Sequence, residues 1–325
     1  LEALCAFLAR RAPGNSPLST PRKECDVPEF LSGITNGKTN GAPIAAIIRN
    51  TNTRSGDYDY IRDIPRPAHA DYTAYLRYLG YHDVSGGGHF SGRLTAALCI
   101  AGGICLQLLA RRGVAVGAHI ASVGALEDAR FDPVQVDAGL LEAVSAKPFP
   151  VINDDAGEFM RLEIENAKRA KDSVGASIEC CAVGFPAGIG TPMFDGIENR
   201  LAHVLFGIPA IKGVEFGAGF AAAKMHGSVH NDPFYMQDGR VLTRTNHHGG
   251  ILGGISSGMP ILFRVAVKPT PSIALEQASV SLSRLADEKL TIEGRHDPCI
   301  ALRAVPCVEA AAGAVLLDMM LSEQN

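Results

Sequence analysis

The chain has no tryptophan, and only 6% of it is aromatic, while 35 of its 325 residues are glycine. A chain so poor in large rings and so rich in glycine makes many tight turns and close backbone approaches, as phosphate and cofactor loops require. Positive charge is in no surplus. The 30 Lys and Arg are outnumbered by 34 Asp and Glu, and the resulting charge of -4 argues against nucleic acid as the main partner. No apolar run reads as long enough to span a bilayer, which disfavours a membrane protein. Zinc-type pairing is missing among Cys5, Cys25, Cys99, Cys105, Cys180, Cys181, Cys299 and Cys307, which are thinly spread. Cys99 and Cys105 lie in an apolar helical run and Cys180 with Cys181 in an apolar strand-like run, so they read as small core residues of a reducing compartment. Length alone suggests about two domains. Repeats, low-complexity tracts and linkers are absent, however, so the chain reads as one domain over residues 1–325.

Hydrophobic residues make up 46% of the sequence, enough for a large core. Residues 1–11 read as the tail of an amphipathic helix, followed by a turn-rich loop at 12–17 with Arg10 and Arg11 at its entrance. Residues 44–48 read as a buried strand, and 50–71 as a long irregular polar segment holding Arg62, Arg66, His69 and Asp71. Leu94, Leu98, Ala101, Cys105 and Leu108 predict a helix stopped at Arg111-Arg112-Gly113. Strands are expected at 114–120, 177–183, 211–216 and 261–267, and helices at 158–171 and 196–206. The mixture lacks regular strand-helix alternation. It favours an α+β fold, one layered domain of mixed sheets and helices, over a doubly wound one.

Five segments could carry chemistry. Gly86-Gly87-Gly88 precedes a helical turn with Ser91 and Arg93, where free amides and glycine suit an anion. In 246–254 four glycines follow His247 and His248, whose spacing does not match known metal-ligand sets, so close packing of backbone against a flat ligand is the preferred reading. The strand at 261–267 empties into Lys268-Pro269-Thr270-Pro271-Ser272, a rigid loop bearing a cation and two hydroxyls, suited to a phosphate. Gly217-Ala218-Gly219 after a strand imitates a dinucleotide fingerprint, but Gly227, Pro233 and Gly239 break the helix and second strand that such a unit needs. Finally, Gly294-Arg295-His296-Asp297-Pro298-Cys299 sets a cation, an imidazole and a carboxylate side by side before a helix; a salt bridge between Arg295 and Asp297 is the plain alternative to a site there.

Taken in order, Arg66-Pro67-Ala68-His69-Ala70-Asp71, the 86–93 segment, Gly213-Val214-Glu215-Phe216-Gly217, and the segments 246–254, 268–272 and 294–305 resemble chorismate synthase over essentially the whole chain. The resemblance implies a β-α-β sandwich and conversion of 5-enolpyruvylshikimate 3-phosphate to chorismate by 1,4-elimination of phosphate, with reduced FMN and no net redox change. His69 matches the family's catalytic histidine and is expected to support the protonation state of the reduced flavin. Asp297 matches its carboxylate and is expected to assist proton removal by the flavin N5. Arg11, Arg66, Arg93 and Arg295 are the candidate cations for the polyanionic substrate. The FMN site carries over to His89, Phe90, Ser91, Ala210, Gly253, Lys268, Pro269, Thr270, Pro271, Ser272 and Arg295. His89 and Phe90 stand where the family usually has Arg and Ser, Ala68 where it has Gly, and Pro209 where it has Asn.

The family's Gly-Glu-Ser-His-Gly motif, with a second catalytic histidine, does not occur in the sequence, and the natural protein is expected to carry it on a strand before Leu1. The resemblance further implies a cytoplasmic homotetramer; charge, apolar runs and ligand spacing give no expectation of nucleic acid, membrane or metal as a partner. NADPH or an outside flavin reductase would reduce the flavin. A nicotinamide-dependent oxidoreductase and an inactive flavin- or phosphate-binding module are the alternatives from other classes.

Overall fold

The computed structural model describes residues 1–14, 16–20, 24–50, 62–292 and 296–323. Its centre is a five-stranded antiparallel sheet in the order Leu126–Glu127, Ala115–Val123, Ala176–Val183, Ile261–Val267, Ile211–Phe216. Register follows from apolar residues facing one another: Phe263 sits opposite both Cys180 and Phe216, and Val265 opposite both Ile178 and Val214. The middle strands are buried almost continuously rather than at alternate positions, which means that both faces of the sheet are covered. Cys180 points into the large core with the C-terminal helix, whereas Cys181 points the other way, into a smaller cluster with Phe131, Leu141 and Leu262. The layered α+β expectation holds. Among the described residues only this sheet has more than two strands; the others are two-stranded ribbons.

Two helices form the inner layer, Thr95–Ala110 and the C-terminal Ala301–Ser322. Their backbones nearly touch: a Cβ built on Gly102 would lie 2.4 Å from atoms of Ala310. Glycine at that position is what permits the approach, and the same register places Cys99 beside Cys307, with sulfurs 3.8 Å apart. Val305, Val308 and Leu316 are fully buried. Each such side chain contributes about 1.5–3 kcal/mol of burial free energy. The helix Asp154–Arg169 is capped by Asn153, whose side chain accepts from the amides of Asp155 and Ala156, and its charged face is exposed as the sequence suggests.

Two expectations need correction. The segments Gly92–Ala110 and Ala301–Ser322 are long and apolar enough to cross a membrane, with a mean hydropathy of 1.7 each, although the sequence reading found no such run. Burial explains the second, since 83% of its apolar window lies inside the protein and a core helix must be apolar all round. The strand expected to be buried at 44–48 is Ala45–Ile47, exposed to half-buried, because it pairs with Glu29–Ser32 in a ribbon with a single partner strand. After Gly217 the chain forms a 3₁₀ helix, Gly219–Lys224, then the short helix Gly227–His230 and a hairpin, Phe234–Gln237 with Arg240–Thr243. The dinucleotide-like pattern is thus a turn, as the glycines and Pro233 indicated.

Candidate active site

A cleft of about 850 Å³ is lined by the end of the helix Glu2–Arg11, the turn at 66–70, the turn at 88–95, residues 207–210, the loop at 268–272 and the segment from His296 to Cys307. Arg11, Arg66, His69, His89, Phe90, Ser91, Arg93, Ala210, Lys268, Thr270, Pro271, Ser272 and Asp297 all line it. Thirteen residues proposed from sequence therefore meet at one place. Gly253 and Pro269 do not: Gly253 is exposed between the two strands of the ribbon Ile251–Leu252 and Ile255–Ser256, and Pro269 packs its ring beside Gly175. Arg295 lies outside the described residues.

One wall is an ionic cluster held by Asp71, the first residue of the helix Asp71–Arg77. Its Oδ2 accepts from the Arg66 amide at 3.0 Å and from Arg66 Nε at 2.8 Å, while Oδ1 accepts from Arg66 Nη2 at 2.8 Å. His69 Nδ1 is 2.6 Å from the same Oδ1, so its proton sits on the side facing the carboxylate. The other ring nitrogen, Nε2, faces Gly87, where a Cβ would be 3.6 Å away. Burial pushes the Asp71 carboxyl up, but hydrogen bonds from Arg66 and His69 and the guanidinium charge outweigh it and hold the group well below the usual carboxylate range. Between Arg66 and His69 the chain reverses through Ala68 at φ 59, a left-handed conformation that suits glycine better. This turn aims the Ala68 carbonyl at the Lys268 ammonium, which donates to it.

The opposite wall is built on Arg11, only 4% exposed. Its guanidinium donates to Asp26, to Thr95 Oγ1 at 3.0 Å and to the Gly92 carbonyl at 3.2 Å. Asp297 accepts from the Thr20 amide at 2.7 Å and from Arg303 Nη1 at 2.8 Å, and Arg303 Nε donates to the Arg11 carbonyl at 2.9 Å. Asp297 is thus ion-paired to Arg303, in the first turn of the C-terminal helix, while the Arg295 half of the salt bridge named as the plain alternative lies outside the described residues. Arg11 and Arg66 are substrate cations by expectation, yet both spend their charge on buried carboxylates and serve first as supports of the walls.

Arg93 and Lys268 differ. Both line the cleft, and among the described residues neither pairs with a carboxylate. Burial, then the charge of Lys212, pulls the Lys268 ammonium below the usual lysine range, so a bound anion would gain from restoring it. Beside Lys268, the Thr270 hydroxyl is buried and makes no hydrogen bond, a group left waiting for a partner. The Lys268 amide donates to the Ala210 carbonyl at 3.0 Å, with Ala210 itself at φ 76, and Ser272 Oγ accepts from Arg66 Nη1 at 3.2 Å. Tyr78, His89 and Phe90 form an aromatic group at the rim, with His89 and Phe90 centroids 5.0 Å apart and Tyr78 5.5 Å from His89. The second glycine loop behaves differently from the first: His247 and His248 are held by Asp232, which accepts from both backbone amides.

Sequence reading missed Asp26, Thr20, Arg303 and His296. No local pattern marks Asp26 or Thr20, whose partners come from distant segments. Arg303 sat six residues after Asp297 in an assigned helix, and nothing in its spacing said that it faced back. His296, the imidazole of the charged triplet, stands on the cleft wall as well. Burial first, then Arg66, pushes its imidazole down to about 4, against the pull of Asp297.

Comparison with known proteins points one way. The family model described as chorismate synthase matches residues 1–321. The chain is 47% identical to chorismate synthase of Thermococcus gammatolerans over 322 aligned positions, covering 99% of this chain and 88% of that protein. It is 44% identical to chorismate synthase of Lancefieldella parvula over 339 positions, covering 100% and 89% respectively. A crystal structure of chorismate synthase is similar over 99% of this chain and 83% of its own, with a TM-score of 0.75 at 26% identity.

Proposed function

Because the chain belongs to the chorismate synthase family, we propose that it eliminates phosphate from 5-enolpyruvylshikimate 3-phosphate to give chorismate, a carbon-oxygen lyase reaction that needs reduced FMN without net redox change. The observation that carries this reading is that two cations, Arg93 and Lys268, have no carboxylate partner among the described residues and share with the unpartnered Thr270 hydroxyl a cleft in which Arg11, Arg66 and Arg303 are ion-paired. A substrate with a phosphate and two carboxylates needs such cations, and an acidic chain must gather them locally.

The residues present fit a flavin mononucleotide. Thr270, Ser272 and Lys268 offer donors to a phosphate, and His89, Phe90 and Ala210 offer flat or close surfaces to a ring. When bound, the reduced flavin would supply an electron-rich ring and a basic nitrogen next to the substrate. The chain's own residues do the rest. Asp71 fixes the His69 ring with one proton toward itself, and Nε2, 3.2 Å from Arg66 Nη2, is the nitrogen that would exchange a proton at the cleft surface. Arg93 stabilises charge on the departing phosphate, worth about 10²–10³ in rate for a single well-placed donor. Asp297, ion-paired to Arg303, keeps a negative charge where the ring proton leaves.

The same reading makes residues 1–325 one catalytic domain of a cytoplasmic homotetramer, reduced by NADPH or by a separate reductase, without nucleic acid, membrane or metal. The test is anaerobic phosphate release with photoreduced FMN, comparing the wild type with His69→Ala and Asp297→Asn. Both variants are expected to lose at least about tenfold in rate. An unimpaired Asp297→Asn would remove the role given to that carboxylate.

A further inference from the structure

Two of the eight cysteines meet across the inner layer. Cys99 and Cys307 lie 208 positions apart, on the helices Thr95–Ala110 and Ala301–Ser322, and Cys99 Sγ donates to Cys307 Sγ at 3.8 Å. The approach is fixed one turn further along, where Gly102 meets Ala310 and a Cβ on Gly313 would lie 2.7 Å from the Leu106 side chain. Among the described residues no other cysteine has a sulfur as its hydrogen-bond partner. Cys180 and Cys181 are neighbours on one strand but point to opposite faces of the sheet. Only Cys25 and Cys307 line the cleft, and Cys25 stands exposed on it without such a partner.

The two thiols of the pair are not equivalent. Cys307 is on the cleft wall, 3% exposed, whereas Cys99 lies behind it, fully buried. A reactant from the cleft therefore meets Cys307 first, and it must be small. The sulfur of Cys307 also donates to the Arg303 carbonyl at 3.3 Å, and Arg11 and Arg303 share its wall. The hydrogen bond from Cys99 works against burial, and with that of Thr95 and the charges of Arg11 and Arg303 it holds the Cys307 thiol below the usual range. The same hydrogen bond, then burial, pushes the Cys99 thiol up. A thiol favoured as thiolate at a cleft surface, with a second thiol directly behind it, is the arrangement that peroxide oxidation of cysteine requires.

We propose that Cys307 is a peroxide-reactive thiol and Cys99 its resolving partner, so that a small hydroperoxide closes a reversible disulfide between the two inner helices. The Cys307 thiolate attacks one peroxide oxygen; the S–O bond forms, the O–O bond breaks, and its electron pair leaves on hydroxide, which takes up the proton that Cys307 gave. Cys99 then attacks the sulfur of the resulting sulfenic acid. The S–S bond forms, the S–O bond breaks, and the departing oxygen leaves as water with the Cys99 proton. Two thiols are oxidised by two electrons while one hydrogen peroxide is reduced to two waters. Closure draws the sulfurs from 3.8 Å to about 2 Å. It thereby shifts the wall on which Arg303 holds the Arg11 carbonyl and Thr95 the Arg11 side chain. A dithiol reductant reverses the bond by exchange.

The test uses the full chain, reduced and then freed of reductant, with hydrogen peroxide as the probe. Remaining thiols are blocked with N-ethylmaleimide before intact-mass measurement and peptide mapping. The expected result is a peptide pair joining Cys99 to Cys307, the loss of those two free thiols, and their return with dithiothreitol. Cys99→Ser should stop at a sulfenic acid on Cys307, captured by dimedone. Cys307→Ser should leave Cys99 unmodified while the exposed Cys25 still reacts. Circular dichroism checks that each variant is folded, and the wild-type map decides by itself whether the link forms. A wild type that keeps both thiols at peroxide levels that oxidise Cys25, a link between another pair, or equally fast oxidation of Cys99 without Cys307 overturns the proposal. None of these readouts depends on turnover, so they stand or fall apart from the elimination reaction.

Discussion

Asp71→Asn strikes the part of the cleft on which most other groups depend. The carboxylate accepts three hydrogen bonds from Arg66 and one from His69, and the Arg66 side chain is only 4% exposed. Asparagine keeps the shape but carries no charge and offers one acceptor oxygen, so the guanidinium stays buried without its counter-ion. Breaking a buried pair from one side costs about 3–5 kcal/mol, a large fraction of the roughly 5–15 kcal/mol that holds a domain together. The urea midpoint followed by circular dichroism should fall accordingly. Removing both charges together, as in Arg66→Met with Asp71→Leu, should recover much of the loss, because no ion is then stranded. The two charges also make the effect depend on pH. Since the folded carboxyl lies below its unfolded value of 3.8, its contribution is present above that pH and fades as pH falls further. A midpoint shift equivalent to less than about 1 kcal/mol for Asp71→Asn at pH 7 would refute the reasoning, for it would mean that the pair is as weak as a solvent-exposed one.

Other residues give separate tests. Ala68→Gly, at a left-handed position, should raise the urea midpoint by an amount equivalent to about 0.5–1 kcal/mol, the relief of backbone strain exceeding the added freedom of the unfolded chain. Gly102→Ala should lower it by about 1–3 kcal/mol or more, since the new methyl group meets the backbone of Ala310 and the helices must part. His119, fully buried, contacts Asp128 and Glu179 at 3.0 Å each; burial lowers its pKa, but these hydrogen bonds outweigh burial and raise it above 6.5. Its stabilisation is therefore complete below pH 6.5 and lost as pH rises through the folded value, so the gap in urea midpoint between wild type and His119→Gln should be wider at pH 6 than at pH 9.

What the sequence could disclose followed the range of the interactions. The strand Ile261–Val267 was readable because an apolar run bounded by Pro269 and Pro271 has few other conformations, and the lining residues Lys268, Thr270 and Ser272 came with it. The helix Asp154–Arg169 was equally plain from its charge pattern. By contrast, the link from Thr20 to Asp297 joins positions 277 apart, and no spacing rule connects them. The C-terminal helix misled for a different reason: buried on nearly every side, it has the composition of a spanning segment rather than a stripe. Gly253 belongs to the 246–254 segment but stands apart from the described cleft, in the exposed turn of a two-stranded ribbon, a placement that its local sequence does not disclose.

The central claim is that this cleft eliminates phosphate without consuming reducing equivalents. It is tested most directly by measuring inorganic phosphate and NADPH together, anaerobically, with 5-enolpyruvylshikimate 3-phosphate and a sub-stoichiometric amount of photoreduced FMN. Many phosphates released per flavin, with no matching loss of NADPH, is the predicted result. NADPH consumed one for one with product, or tight binding of flavin and substrate with no phosphate released, would contradict it.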